Sequence, residues 1–217
     1  MRKLVLLLND HPNVGKSTLA RCFSLYLSQQ DRAHHLKSLG QGGRDPQEID
    51  PSHLSLRHLR QWLEQRPILI IDVASGWGRF FGRFFRLHQV RRMLEETATS
   101  LSVVLPVTNA EDSFDSVIEA TDLFGEDAEY LVAIRTEAGS EDQQHAWASS
   151  YASRVMNLFD AQEINVPQAQ AAADFKRWQQ RMFSRLERVQ QRLFGQPAQS
   201  LDQSRRTGQS ASSHRAA

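Results

Sequence analysis

The chain has 217 residues, of which 40% are apolar and 24% charged, and its 26 Lys and Arg nearly balance its 25 Asp and Glu. These fractions are ordinary for a soluble globular protein. No apolar run approaches the roughly 18 residues of a membrane-spanning helix, and the single cysteine, Cys22, excludes an intramolecular disulfide. Because the N-terminus leads directly into a strand pattern rather than a signal peptide, we expect a cytoplasmic protein.

Strand-like and helix-like patterns alternate along almost the whole chain. The predicted strands are 3–8, 33–38, 67–73, 101–107, 129–135 and 162–166, and the predicted helices are 17–30, 52–65, 79–98, 111–124, 142–159 and 168–194. Several strands are continuously apolar, which is typical of a parallel sheet covered by helices on both faces. We therefore predict a doubly wound, mostly parallel α/β domain over 1–167, an amphipathic basic helix over 168–195 and a disordered tail over 196–217.

The loop after the first strand has the form of a phosphate-binding loop. Residues 9–18 read Asn-Asp-His-Pro-Asn-Val-Gly-Lys-Ser-Thr and lie between an apolar strand and a helical pattern. In such a loop the backbone N–H groups surround an anion at a helix N-terminus. The residues predicted to bind a nucleoside triphosphate are Asn13, Val14, Gly15, Lys16, Ser17 and Thr18. Lys16 would neutralise phosphate charge and Ser17 would bind Mg²⁺; the alternative is a plain loop with a helix-capping serine.

A second candidate site residue ends an apolar strand. Residues 68–71 read Ile-Leu-Ile-Ile and lead into Asp72, which is the form of a Walker B strand. Asp72 would hold Mg²⁺ through water, opposite Ser17. Lys16 and Asp72 are therefore the predicted catalytic residues, and Ser17 and Asp72 are the predicted metal ligands. The alternative for Asp72 is an acid that caps the following turn.

The loop resembles that of the deviant Walker A ATPases, the family of ParA-type partition and MinD-type positioning ATPases. Residues 11–18 align with the family's Lys-Gly-Gly-Val-Gly-Lys-Thr-Thr, and Asn9 falls where the family often has asparagine. Residues 72–76 fall on the family's switch segment, although its two prolines are missing. The resemblance implies ATP and Mg²⁺ as cofactors, a nucleotide-dependent homodimer and a DNA-bound partner protein. With its short chain and its departures from the loop pattern, the protein resembles a divergent branch of this family, similar to the StbB-like plasmid-stability proteins.

The chain also departs from the family pattern. Asp10 stands where the standard loop has its first glycine, and Pro12 and Asn13 replace two further glycines. His11 replaces the signature lysine that reaches the partner's nucleotide. The segment 33–40 contains no carboxylate, although the family has Asp-x-Asp there to orient the attacking water, and Asp45 or Glu48 is the nearest substitute. We therefore expect nucleotide binding with slow or partner-stimulated hydrolysis.

Charge and aromatic residues are unevenly distributed in the second half of the chain. Residues 101–170 hold two arginines and thirteen acids, whereas 171–217 hold nine Lys and Arg and three acids. The apolar stripe of 174–194 is typical of a last domain layer or a coiled-coil arm, an in-plane membrane anchor, or a nucleic-acid-binding helix. The segment 171–194 is therefore a candidate surface for anionic DNA or membrane.

The stretch 77–86 crowds phenylalanines with arginines. It predicts either a helix whose phenylalanines pack on the sheet while its arginines reach water, or a nucleotide-sensitive contact surface. The first functional hypothesis is a ParA/MinD-like protein of DNA partition, plasmid stability, conjugative transfer or cellular positioning. The alternatives are a pseudo-ATPase adaptor and a small-molecule phosphotransferase with 79–92 as its lid.

Overall fold

A single parallel sheet organises the protein. The computed structural model describes residues 2–40, 48–108, 112–135, 162–166 and 175–195. Within them the strands are β1 (Arg2–Leu7), β2 (His34–Leu39), β3 (Glu48–Ile49), β4 (Ile68–Val73), β5 (Thr99–Val107), β6 (Ala128–Arg135) and β7 (Gln162–Val166). Their order in the sheet is β3-β2-β4-β1-β5-β6-β7, and every described pairing is parallel.

Helices cover both faces of this sheet. They are α1 (Lys16–Gln29), α2 (Leu56–Gln65), α3 (Gly78–Leu87), α4 (Val90–Glu96), α5 (Asp112–Phe124) and α6 (Phe175–Phe194), with short 3₁₀ turns at Pro51–His53 and Gly125–Asp127. One apolar cluster joins the sheet to α1 and α6, and the other joins it to α2–α5. The predicted doubly wound α/β fold is therefore confirmed. Across the described segments, no helix has both the length and the apolar character that a membrane crossing requires.

The central strand β1 determines where a ligand would lie. Leu4 and Leu6 belong to one apolar cluster, Val5 and Leu7 to the other, and all four are fully buried. In chain order β1 leads to β2, which lies toward one edge of the sheet. On the other side of β1, strand β5 leads to β6, which lies toward the opposite edge. Adjacent strands that connect in opposite directions leave a crevice at their carboxyl ends. The loop 8–15 begins at this crevice.

The last described helix is part of the core. The side chains of Trp178, Met182 and Leu186 are at most 2% exposed and belong to the cluster that contains α1. Phe194 contacts Phe23 edge-to-face, with ring centroids 5.6 Å apart. The apolar stripe of α6 therefore forms a domain layer, as one of the three sequence interpretations predicted. The cations Lys176, Arg177, Arg181 and Arg188 are exposed on the other side.

Two elements differ from the sequence prediction, and others lie outside the described residues. The predicted helix 79–98 is two helices, because the chain turns at Gln89, which has a left-handed backbone (φ 51°). The turn lets Phe84 and Phe85 of α3 and Val90 and Met93 of α4 all reach one apolar cluster. The two-residue edge strand β3 was not predicted. The predicted helix 142–159 and tail 196–217 lie outside the described residues.

The burial of α6 predicts a large stability effect of its core side chains. Met182→Ala should lower the free energy of unfolding by about 2–5 kcal/mol, because it leaves a cavity between α6 and the sheet. Urea denaturation measures this change. The matched control is Arg181→Ala on the exposed side, which should shift stability by no more than about 0.5 kcal/mol. Equal effects of the two substitutions would contradict the packing of α6 as a core layer.

Candidate phosphate-binding site

The loop between β1 and α1 leaves the first turn of α1 open to an anion. Gly15 precedes the helix with a left-handed backbone (φ 93°), and no side chain caps the helix there. Uncapped N–H groups at a helix N-terminus attract negative charge. Asn13 is also left-handed (φ 60°), a conformation that asparagine tolerates better than most residues. Val14 is 2% exposed and fixes the loop to the core between these two turns.

Lys16 is the first residue of α1, and its side chain reaches back into the loop that precedes the helix. Its Nζ donates hydrogen bonds to the carbonyl oxygen of Asn9 at 2.6 Å and to Oγ of Ser75 at 2.9 Å. The side chain is buried, and this burial lowers the pKa of Lys16, while the negative charges of Asp72 and Asp10 oppose the shift. The amine therefore joins the phosphate loop to the segment after β4, in a place where its charge is poorly solvated.

Asp72 lies at the carboxyl-terminal end of β4, level with Leu7 of β1. It is 6% exposed, and its Oδ1 is buried without a hydrogen-bond partner. Burial raises the pKa of Asp72, whereas a hydrogen bond from Ser17 and the charges of Lys16 and Arg21 act in the opposite direction. An unsatisfied buried carboxylate oxygen beside a serine hydroxyl is a suitable donor set for a hard divalent cation. The residues present therefore fit Mg²⁺.

Asn9 fixes the start of the loop to the neighbouring strand and helix. Its Nδ2 donates to the carbonyl oxygens of Pro106 at 2.7 Å and Ser113 at 2.8 Å. Its Oδ1 accepts the backbone N–H of His11 at 2.8 Å, so all three bonds serve to position the backbone. The sequence marked Asn9 only by resemblance and predicted no role for it. The two carbonyl partners of its Nδ2 lie about a hundred residues away in the chain, so no local pattern reveals them.

Asp10 makes contacts with distant segments that its place in the loop pattern does not predict. Its Oδ1 accepts the backbone N–H of Gly76 at 3.1 Å and of Gly78 at 2.9 Å. Its own N–H donates to Oγ of Ser116 on α5 at 3.0 Å. The residue that replaces the first glycine of the loop pattern thus links the loop to α3 and α5.

An open cleft of about 340 Å³ lies beside Asn9 and Asp10, between α3 and α5. Arg79, Arg83 and Arg86 line it from α3, and Arg79 forms an ion pair with Glu119 of α5. Asp10, Glu119 and Asp122 provide three acids, so the lining is balanced in charge. The phenylalanines of α3 at 81, 84 and 85 are buried, which confirms the packing interpretation of this stretch. Its use as a contact surface stays a prediction.

The structure brings three of the predicted site residues together at the carboxyl edge of the sheet: Lys16, Ser17 and Asp72. Asn13, Ser17 and Thr18 are exposed, Val14 is buried, and the carbonyl oxygen of Asn13 accepts a 2.7 Å hydrogen bond from Arg135. Among the sequence candidates for a water-orienting acid, Asp45 and the side chain of Glu48 lie outside the described residues. The roles of all these residues remain predictions.

Comparison with solved structures shows the fold. The chain is similar to cobyrinic acid a,c-diamide synthase from Mycobacterium smegmatis, solved with a bound ATP analog and magnesium (13% identity, TM-score 0.50, covering 92% of this chain and 100% of that chain). It is also similar to a chain of the MinC:MinD cell division protein complex of Aquifex aeolicus (11% identity, TM-score 0.52, covering 91% and 98%). No protein-family model and no curated protein sequence matches it.

These likenesses show the architecture. The protein has the α/β fold of these two structures, a mostly parallel sheet with helices on both faces. At identities of 11–13% the likeness extends to the architecture and does not assign an activity, which depends on the residues of the site.

Proposed function

We propose that the protein is a ParA/MinD-like nucleotide-binding protein that binds ATP with Mg²⁺ in the loop 9–18. The observation that carries the proposal is the meeting of two buried, oppositely charged groups, Lys16 and Asp72, beside an uncapped helix N-terminus. A cation for the phosphates, N–H groups that surround them and a carboxylate for the metal are the three parts that a triphosphate site needs. The magnesium and ATP analog in the diamide synthase structure support the choice of ligand.

Each residue then has a defined task. The first-turn N–H groups of α1 and the amine of Lys16 bind phosphate oxygens, and Asn9 keeps the loop in its position. Ser17 and Asp72 would hold Mg²⁺, which supplies positive charge to the phosphates when bound. Since Asp72 accepts a hydrogen bond from Ser17 and its Oδ1 has no partner, the carboxylate would have an oxygen available to hold Mg²⁺.

The proposal extends to a nucleotide-dependent homodimer that works with a DNA-bound partner protein. The MinC:MinD structure is itself a complex of two proteins, and this supports an assembly with a partner protein. Partition, plasmid stability, conjugative transfer and cellular positioning are the processes in which we place the protein, on the loop resemblance. The competing hypothesis is a pseudo-ATPase adaptor, which the replacement of the signature lysine by His11 favours.

The outer side of α6 supports an anionic partner surface. Lys176, Arg177, Arg181 and Arg188 are exposed there, and Glu187 is the exposed acid among them. Because the apolar stripe of α6 is buried in the domain, contact with DNA or membrane would be electrostatic and would not insert the helix. Such contact weakens steeply with added salt, since phosphate contacts release counterions.

Loss of the Lys16 amine should weaken nucleotide binding. Lys16→Ala is expected to reduce affinity for ATP–Mg²⁺ at least about tenfold by calorimetry, because a charge-assisted contact to the phosphates disappears. The control is Lys176→Ala, which removes the same charge from the outer side of α6. If both variants bind ATP as tightly as the parent, the phosphate-loop function is wrong.

Asp72 should control the magnesium dependence of binding. In Asp72→Ala, the ATP affinity measured with Mg²⁺ should equal that measured with EDTA, while the parent binds more tightly with the metal. Because the pKa of Asp72 is raised, the gain in ATP affinity from Mg²⁺ should disappear on acidification at a higher pH than for an ordinary aspartate. A magnesium gain that survives in Asp72→Ala would assign the metal to another residue.

The same raised pKa affects stability in the absence of metal. The folded protein takes up this proton more readily than the unfolded chain, so the ionised carboxylate destabilises the fold near neutral pH and less so as the pH falls.

Hydrolysis by the purified protein alone should be slow. We expect a turnover number below roughly 1 per second, the lower end of the typical enzyme range, because β2 supplies no acid to orient water. Assays with duplex DNA or with anionic vesicles test the partner surface, and neutralising the four α6 cations should abolish any stimulation. Brisk turnover without a partner would instead show that His11 or an acid in 41–50 completes the site. Phosphate transfer to an added small-molecule acceptor would favour the phosphotransferase.

A further inference from the structure

Asp10 contacts the N-terminus of α3 in a way that the phosphate-loop pattern does not require. The pattern has glycine at this position, which cannot make a side-chain contact. Here the carboxylate accepts two backbone N–H groups, those of Gly76 and Gly78, at 3.1 and 2.9 Å. The residue that precedes α3, Trp77, provides no side-chain cap of its own. The negative charge that stabilises the start of α3 therefore comes from the phosphate loop.

The fit between the loop and α3 is close. A Cβ atom at Gly78 would lie 2.8 Å from Oδ1 of Asp10, so a larger residue there would displace the carboxylate. The backbone of Asp10 is held by its hydrogen bond to Ser116. Any change at Asp10 is therefore expected to occur in the side chain, because the main chain is already fixed to α5.

A second contact joins the same two segments. Ser75, the neighbour of Gly76, accepts a hydrogen bond from Lys16 Nζ and donates one to the carbonyl oxygen of His11 at 3.3 Å. The amine that would meet the phosphates thus touches the segment that Asp10 holds. The charge of Asp10 also acts on that amine. A phosphate bound at the Lys16 amine would therefore lie close to the half-buried Asp10 carboxylate, and like charges repel at short range.

We propose that Asp10 is a positioning residue that couples the phosphate loop to α3. In the empty loop its carboxylate holds Gly76 and Gly78. A triphosphate adds negative charge beside this carboxylate, weakens the hold and frees the first turn of α3. A diphosphate brings less charge and loosens it less. A ligand shifts such an equilibrium only by its different interactions with the two states, and here the difference is this repulsion. The inference rests on the proposed nucleotide function.

The consequence reaches the surface of the molecule. The first turn of α3 carries Trp77 and Arg79, and Arg79 is 79% exposed and forms an ion pair with Glu119 of α5. Release of this turn would change the wall of the cleft between α3 and α5. A molecule that binds to α3 would therefore meet a different surface when the loop holds a triphosphate than when it holds a diphosphate.

The experiment measures amide hydrogen exchange at Gly76 and Gly78 in the full chain. Four forms are compared: the parent, Asp10→Asn, Asp10→Ala and, as a control, Asp122→Asn. Asparagine keeps an oxygen that accepts the same hydrogen bonds but removes the charge, and alanine removes both. Asp122→Asn removes a charge from the same cleft without removing a described hydrogen bond to α3. Each form is measured free, with ADP–Mg²⁺ and with a non-hydrolysable ATP analogue and Mg²⁺.

In the parent and in Asp122→Asn, exchange at Gly76 and Gly78 should rise with the triphosphate analogue and rise less with ADP. Asp10→Asn should protect these amides when free, lose the triphosphate effect and bind the analogue about threefold or more tightly, since the repulsion is gone. Asp10→Ala should exchange fast in every state. Gly78→Ala provides a second route, because it displaces the carboxylate while keeping its charge, and should also exchange fast when free.

Three results would overturn the proposal, and they are distinguishable. Unchanged exchange in free Asp10→Ala would show that the carboxylate does not hold α3, whatever the nucleotide does. Equal effects of the triphosphate on exchange in the parent and in Asp10→Asn would show that the charge of Asp10 does not couple the nucleotide to α3, even if its hydrogen bonds stabilise the helix start. A parent that binds no nucleotide by calorimetry would remove the proposed function itself, and with it the signal to which Asp10 responds.

Discussion

The parallel pairing of β1 with β4 and β5 is the constraint on which the site depends. This pairing sets Leu7 level with Asp72 on one side and with Val104 on the other. The loop that follows β1 therefore starts beside the carboxylate that ends β4 and beside the Pro106 carbonyl to which Asn9 binds. A shift of one residue in either pairing would turn the β1 side chains to the opposite face and separate these groups. The buried, strongly apolar β1 makes such a shift costly.

The site is held together by groups that water cannot easily reach. Lys16 and Asp72 each have a pKa moved by burial toward the neutral form, and each partly restores the charge of the other. Such a pair gives little net stability in the empty protein, because desolvation offsets the attraction. In the proposed function the pair would act on the ligands, since charges that are already desolvated and oriented interact strongly with an incoming anion and cation. The unsatisfied Oδ1 of Asp72 belongs to the same arrangement.

Local patterns in the sequence are enough to predict six of the seven described strands, the turn from β1 into α1 and the place of Asp72 at the end of β4. A run such as Ile68–Ile71 is apolar throughout because both faces of β4 are covered, and a glycine before Lys16 is needed for a left-handed backbone. The contacts by which Asn9 and Asp10 join the loop to β5, α3 and α5 could not be predicted in the same way, because those partners are 66 to 106 residues distant. The turn at Gln89 was missed because neither His88 nor Gln89 is a helix-breaking residue, and tertiary packing overrides their local preference.

The position of α6 has a consequence for how the protein is made. Tyr26 of α1 donates a hydrogen bond to Gln190, and Phe23 contacts Phe194, so one face of the first helix is completed by residues more than 160 positions later. During synthesis the chain emerges from its N-terminus, and this aromatic face of α1 stays uncovered until α6 has been made. A sheet with one bare apolar face is prone to aggregation. The apolar face of α1 is thus exposed for the whole time that the segment between α1 and α6 is being synthesised.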